Sequence, residues 1–401
     1  MERELCKSLA RRYFDEVLQT ASEMIQRPSV SGNEKEMAEY TVAKMKELGY
    51  DDVRVDRVGN VIGLMRGTGG GKSLTLNCHM DVVDAGPPEK WKYPPYGGEI
   101  AEGAVWGRGA SDTKATFATQ VYAPYILKKE GLMPKGDITV VGVVHEESSG
   151  FGAMNMAADG YFTDYCIIGE ATENDIAVAC RGRMGIEVEI TGKSCHASMP
   201  HTGANPFDFL GKFLIGLTNY KVQTHPKYGT SLCTPTRISS SEKGTNVIPN
   251  TIALSLDYRS LAGETYESVI EQLNEIAAAC AVEGVTVAIK PALIPITCYN
   301  GARGEGYMGE PAFAIEEDSE TVLIAKQALE ELFQRPVATK AWSFATDSGH
   351  FAQKGVQVIG YSPAQIVKCH TVEDSVPLDM LEEGIAGILT LARAFCEVEK
   401  Q

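Results

Sequence analysis

Apolar positions along this chain follow two periodicities, and their alternation predicts most of its elements. Leu5, Leu9, Tyr13, Val17 and Ala21 recur at helical spacing, so an amphipathic helix is expected over about 3–26, stopped by Arg27-Pro28. Ser31 and Glu34 form a capping-box pattern for a second helix ending at Gly49. Residues 53–65 read as two short strands around Val58-Gly59-Asn60. Three runs then stand out as buried strands: Ser73-Leu74-Thr75-Leu76, residues 137–144, and Tyr165-Cys166-Ile167-Ile168. A helix begins near Thr113, and Pro124 inside its pattern predicts a kink or an early end. Strands alternating with helices indicate an α/β domain.

The texture changes near Gly185. Ile186, Val188 and Ile190 alternate on one face of a half-exposed strand. A helix over 205–219, strands near 232–240 and 250–258, a helix over 265–283 and a strand at 284–290 follow. That β-α-β-β-α-β order is ferredoxin-like. We therefore expect a discontinuous catalytic α/β domain, 1–184 with 296–401, and an inserted α+β unit over 185–295. Residues 294–317, rich in Gly and Pro, read as loop. A helix over 319–333, a strand over 356–361 and a closing helix over 378–397 complete the chain.

Composition narrows the function. With 401 residues, 44% hydrophobic and 22% charged, the chain has the profile of a soluble globular protein of about two domains. A formal net charge of -16 argues against nucleic acid or an anionic membrane as partner, while a locally basic pocket still admits an anionic substrate. The ten cysteines are scattered, without Cys-x-x-Cys spacing. Together with the absence of a visible targeting segment, they lead us to expect a reducing cytoplasm.

The candidate chemistry lies at strand ends. His79 and Asp81, two residues apart after the Leu74–Leu76 run, point to one side, so the imidazole can bind a metal while the carboxylate fixes its orientation. Asp112, the pair Glu146-Glu147, Glu170 and His370 likewise fall at the ends of expected strands or just beyond, where open α/β sheets bind ligands. Two imidazoles and several carboxylates suit zinc, with manganese or cobalt as alternatives. The carboxylates suffice for two ions roughly 3.5–4 Å apart, bridged by one of them. Neighbouring side chains diverge, so one glutamate of the pair can bind metal while the other holds a water.

These motifs resemble the M20 family of dinuclear metallohydrolases, which includes succinyl-diaminopimelate desuccinylase, acetylornithine deacetylase and carboxypeptidase G2. The resemblance rests on His79-Met80-Asp81-Val82-Val83, on Trp106-Gly107-Arg108-Gly109 running into Asp112-Thr113-Lys114, and on Glu146-Glu147, Glu170 and His370. It rests also on residues 192–200 with Gly203, Asn205 and Pro206. In appearance the chain is most similar to the selenium-metabolism-linked hydrolase branch. It departs from the family pattern at Asp84, where proline is usual, and at Ser148-Ser149, where glycine is common.

The resemblance implies that His79 and Glu170 hold one ion, Glu147 and His370 the other, and that Asp112 bridges. Asp81 would orient His79, and Glu146 would be the general base. The inserted unit would be a lid and dimer interface, bringing His196 to the substrate. Asn246 and Arg259, with Arg183 as a further candidate, would grip a carboxylate or oxyanion. The activity implied is hydrolysis of an amide beside a free carboxylate, as in N-acyl amino acid deacylation, with dipeptide cleavage as the alternative. A non-catalytic homologue is the remaining rival, and Glu146 speaks against it, since a degenerate site has no need of a base.

Overall fold

The computed structural model describes residues 2–400. Its central sheet has four adjacent parallel strands, in the order Ile138–Val143, Leu74–His79, Tyr165–Ile168 and Gln357–Gly360. Both faces are covered, which is why these strands read as near-continuous apolar runs. Alternate residues serve opposite cores. Leu76, Val140 and Ile167 pack under the helices Glu2–Ile25, Ala115–Lys129 and Leu378–Cys396, whereas Val141, Cys166 and Ile168 pack with Ala153, Met156 and Phe351 on the other side.

Antiparallel strands extend the sheet at both edges. Val61–Met65 and Asp52–Val55 lie beyond Ile138–Val143, and Ile176–Cys180 with Phe313–Ala314 lies beyond Gln357–Gly360. The inserted unit is an antiparallel sheet ordered Leu232–Ser240, Thr251–Ser260, Gly182–Thr191, Thr286–Pro291, backed by the helices Pro206–Gly216 and Tyr266–Ala279. Ile186, Val188, Leu254 and Leu256 meet Phe209, Phe213, Val269 and Leu273 in a core of its own. The fold is thus an α/β domain carrying a ferredoxin-like α+β unit.

Four local expectations are corrected. Pro124 does not end its helix, which runs from Ala115 to Lys129, because residues 115–124 are buried throughout and packing overrides the lost hydrogen bond. The stretch read as loop holds a hairpin of Leu293–Thr297 with Arg303–Tyr307, its alternation hidden by Gly and Pro. The strands Ile176–Cys180 and Thr339–Trp342, a parallel pair, escaped the sequence reading. Ser31 and Glu34 form no capping box. The helix Lys35–Glu47 starts without a side-chain cap, and both residues turn inward to the site described next.

Candidate metal centre and active site

Strand ends deliver the acidic and imidazole side chains to one place. His79 closes the strand Leu74–His79, Glu146 and Glu147 open a one-turn helix after Ile138–Val143, and Glu170 follows Tyr165–Ile168 by two residues. Asp112 comes from the turn Ala110–Lys114. His370 stands at φ 61° and His145, just before the glutamates, at φ 57°. Left-handed backbone at non-glycine residues is costly and clusters where a side chain must be aimed.

Asp112 is the centre of the arrangement. Its Oδ1 lies 2.8 Å from His79 Nε2, and its Oδ2 lies 3.0 Å from His370 Nε2. His79 Nε2 is also 3.3 Å from Glu170 Oε1, and His370 Nε2 is 3.1 Å from Glu147 Oε2. Two donor groups result, His79–Asp112–Glu170 and Asp112–Glu147–His370, each with its ligand atoms within 4.8 Å of one another. Two imidazole nitrogens and three carboxylates, sharing one carboxylate, form a donor set that fits a pair of borderline divalent cations.

The second layer holds these groups in register. Burial alone would depress His79, but Asp112 and Glu170 outweigh it and push its pKa well up. Asp112 and Glu147 push His370 up to about 10. His79 Nδ1 donates to the main-chain oxygen of Asp81 at 2.8 Å, which leaves Nε2 facing Asp112. The Asp81 carboxylate does not orient the ring as expected. It lies 3.8 Å from Nδ1, beyond hydrogen-bond reach, because the N–H groups of Glu146 and Glu147 and the Ser31 hydroxyl already occupy it. Asp81 therefore fixes the glutamate turn. Glu34 Oε1 accepts from the N–H of His145 and steadies the same turn.

Asp374 performs the equivalent task across the chain. Its Oδ2 accepts from Gly109 N at 2.7 Å and Oδ1 from Ser111 N at 2.8 Å, with Arg108 Nη1 at 3.2 Å. One carboxylate thereby clips the loop bearing His370 to the turn bearing Asp112. Nothing in the spacing of Asp374 signalled this.

A cavity of about 320 Å³ opens over the group, lined by Asp112, Glu146, Glu147, Glu170 and His370, and by Arg183 and Glu310. Arg183 pairs in register with Arg259, and both donate to Asp257, at 2.9 and 2.7 Å. Two guanidiniums on one carboxylate leave a net positive charge beside the cavity. Arg259, His196 and Asn246 do not line it. His196 is exposed and pairs with Val247 beside Asn246 in a short ladder. Its Nδ1 lies 2.8 Å from the Ser198 hydroxyl and 3.2 Å from Ser198 N, which fixes the orientation of the ring.

Sequence reasoning missed Glu310 and Asp347. One oxygen from each lies within 4.8 Å of one from Glu146. Burial, then the neighbouring acids, push Glu146 and Glu310 well above the usual carboxylate range, and burial raises Asp347 to about 6. His350 is buried, and burial lowers its pKa to about 4. Cys78 is packed in the interior, while Cys369 reaches the cavity wall.

Comparison with known proteins gives the family and the fold. The model of peptidase family M20/M25/M40 matches residues 75–394. The uncharacterized protein YgeY of Escherichia coli (strain K12) is 27% identical over 373 residues, covering 90% of each chain. Succinyl-diaminopimelate desuccinylase of Paracoccus denitrificans is 27% identical over 347 residues, 84% of this chain and 86% of its own. Among solved structures, Bacillus subtilis YXEP, described as a dinuclear metal binding peptidase, superposes with a TM-score of 0.68 over 97% of this chain and 99% of its own, at 15% identity. The chain belongs to peptidase family M20/M25/M40 and is an amidohydrolase or peptidase enzyme.

Proposed function

We propose that this enzyme uses two divalent cations, zinc with cobalt or manganese as substitutes, to cleave an amide beside a free carboxylate. The observation that carries the reading is Asp112, whose two oxygens each face a different imidazole. His79 and Glu170 would hold one ion, Glu147 and His370 the other, with Asp112 between them. Bound there, the ions supply Lewis acidity that acidifies a water and polarises the scissile carbonyl. Glu146, anchored by its N–H on Asp81, takes the water's proton and returns it to the leaving amine. Arg183, with Arg259 behind it, attracts the substrate carboxylate. His196 would reach the developing oxyanion from the inserted unit, within the chain or across a homodimer, as a hydrogen-bond donor, and Asn246 sits beside it.

The substrate we favour is an N-acyl amino acid; a dipeptide presents the same bond and the same carboxylate. Turnover of both panels, with metal content measured in parallel, tests the reading, and a protein active on neither after zinc, cobalt and manganese loading would sink it. We also propose a small-molecule substrate, and a reducing cytoplasm, with which ten free thiols are in keeping. Among the described residues no helix is long and apolar enough to cross a membrane.

Two outcomes follow. His370, with its pKa up to about 10, carries a proton across neutral pH that a cation must displace. Metal affinity therefore rises with pH from 6 to 9, by about tenfold per unit for each proton released. Calorimetry in buffers of different ionisation enthalpy counts those protons. Arg183→Ala raises KM for substrates with a free carboxylate by about 1.5–3 kcal/mol in binding, and alters amidated analogues much less. Equal losses on both would place Arg183 outside substrate recognition.

A further inference from the structure

We propose that Glu146, Glu310 and Asp347, bordered by the imidazole of His350, form a third divalent-cation site, which inhibits the enzyme when filled. The inhibition rests on the reading of Glu146 as the base; the site itself does not. Its three carboxylates share no residue with the two groups around Asp112, and one oxygen from each lies within 4.8 Å of the others.

The polar accounting of these groups is incomplete. Glu310 and Asp347 are 7% and 2% exposed, and Glu310 Oε2 and Asp347 Oδ1 have no hydrogen-bond partner. Among the described residues the one donor to this set is Asn77 Nδ2, 2.9 Å from Asp347 Oδ2. Like charges collected out of water are costly unless a cation or a proton joins them. Independently of the acids, His350 is 9% exposed and its Nε2 is also unpartnered. That nitrogen faces Glu310 across Gly150: a Cβ built on Gly150 would lie 2.7 Å from Nε2 and 2.8 and 2.9 Å from Cγ and Cδ of Glu310. A glycine at φ 59° keeps the space between them open.

Three carboxylates with oxygens within 4.8 Å of one another are a donor set for manganese or zinc, and the His350 imidazole, outside that group, borders it on the Glu310 side. Glu310 and Glu146 both border the active-site cavity, so an ion has a route in. Once held, it engages the lone pairs with which Glu146 would accept a proton. Turnover then falls as this site fills, while the ions around Asp112 stay in place.

The test is a zinc titration of the full chain against a chromophoric chelator, with turnover followed alongside. The wild type is expected to take up a weaker equivalent after the tight ones and to lose activity as it binds. Glu310→Gln and His350→Gln should each weaken that equivalent by about tenfold or more, leaving the tight ones unchanged. In each variant the ratio of turnover at high zinc to turnover at low zinc should rise. Loss of one weak equivalent in Glu310→Gln supports the proposal whatever the wild-type total. An unchanged total and an unchanged ratio in both variants overturn it, showing that protons neutralise the cluster. The dinuclear reading fails separately, on Asp112→Asn.

Discussion

Glu146→Gln should retain both cations and lose turnover by about 10²–10⁴-fold. The substitution keeps shape and removes the ability to accept the water's proton. Its backbone stays anchored, because Glu146 N and Glu147 N donate to Asp81 rather than to either glutamate side chain. Glu146 belongs to neither donor group around Asp112, so the two tightly held ions should be retained at the wild-type level, measured by elemental analysis after the weaker equivalent has been dialysed away. Glu147→Gln gives the contrast: its oxygens lie 3.1–3.2 Å from His370 Nε2, and one ion should be weakened. Equal metal loss in the two variants would end the division of labour between the neighbours.

Asp112→Asn should have the larger effect on metal. An amide presents one oxygen where the carboxylate presents two, so it cannot serve both imidazoles as an acceptor. Both donor groups lose their shared member, and metal content should fall from two ions to fewer than one. The imidazoles change as well. Asp112 heads the causes that raise His370 to about 10, so in the metal-free variant His370 should titrate at lower pH, measurable by its ring NMR shifts. Retention of two tightly bound ions would remove Asp112 from the bridging position.

Of the five residues in the two donor groups, His79, Glu147 and Glu170 could be picked out because each follows an apolar strand run by a few positions, whereas Asp112 and His370 lie in a turn and a loop and were picked out by the motif resemblance. The parallel strands were legible for the same reason: burial on both faces leaves an unbroken apolar signature. Glu310 and Asp347 left no such trace. They lie in the segments 309–311 and 346–348, whose neighbours follow no period, and only the three-dimensional path joins them to Glu146. Asp81 was legible as a site residue but not in its task, since a two-residue spacing cannot tell a carboxylate from a main-chain oxygen as the partner of His79. Ser31 and Glu34 misled for a related reason. Their capping pattern is generic, and tertiary donors at Asp81 and His145 won the competition for their side chains.

The clip at Asp374 has a consequence for how the enzyme comes into being. Every donor of the first group, His79, Asp112 and Glu170, precedes the inserted unit, whereas His370 and its clip lie in the last part of the chain. During synthesis the three donors of the first group emerge together, but the turn that carries Asp112 waits for Asp374 and the second group waits for His370. The last strand, Gln357–Gly360, must add beside Tyr165–Ile168, and the closing helix must dock, before His370 can meet Asp112. Hydrolytic competence therefore arrives only with the final segment, so a growing chain carries a half-built centre that cannot attack its neighbours.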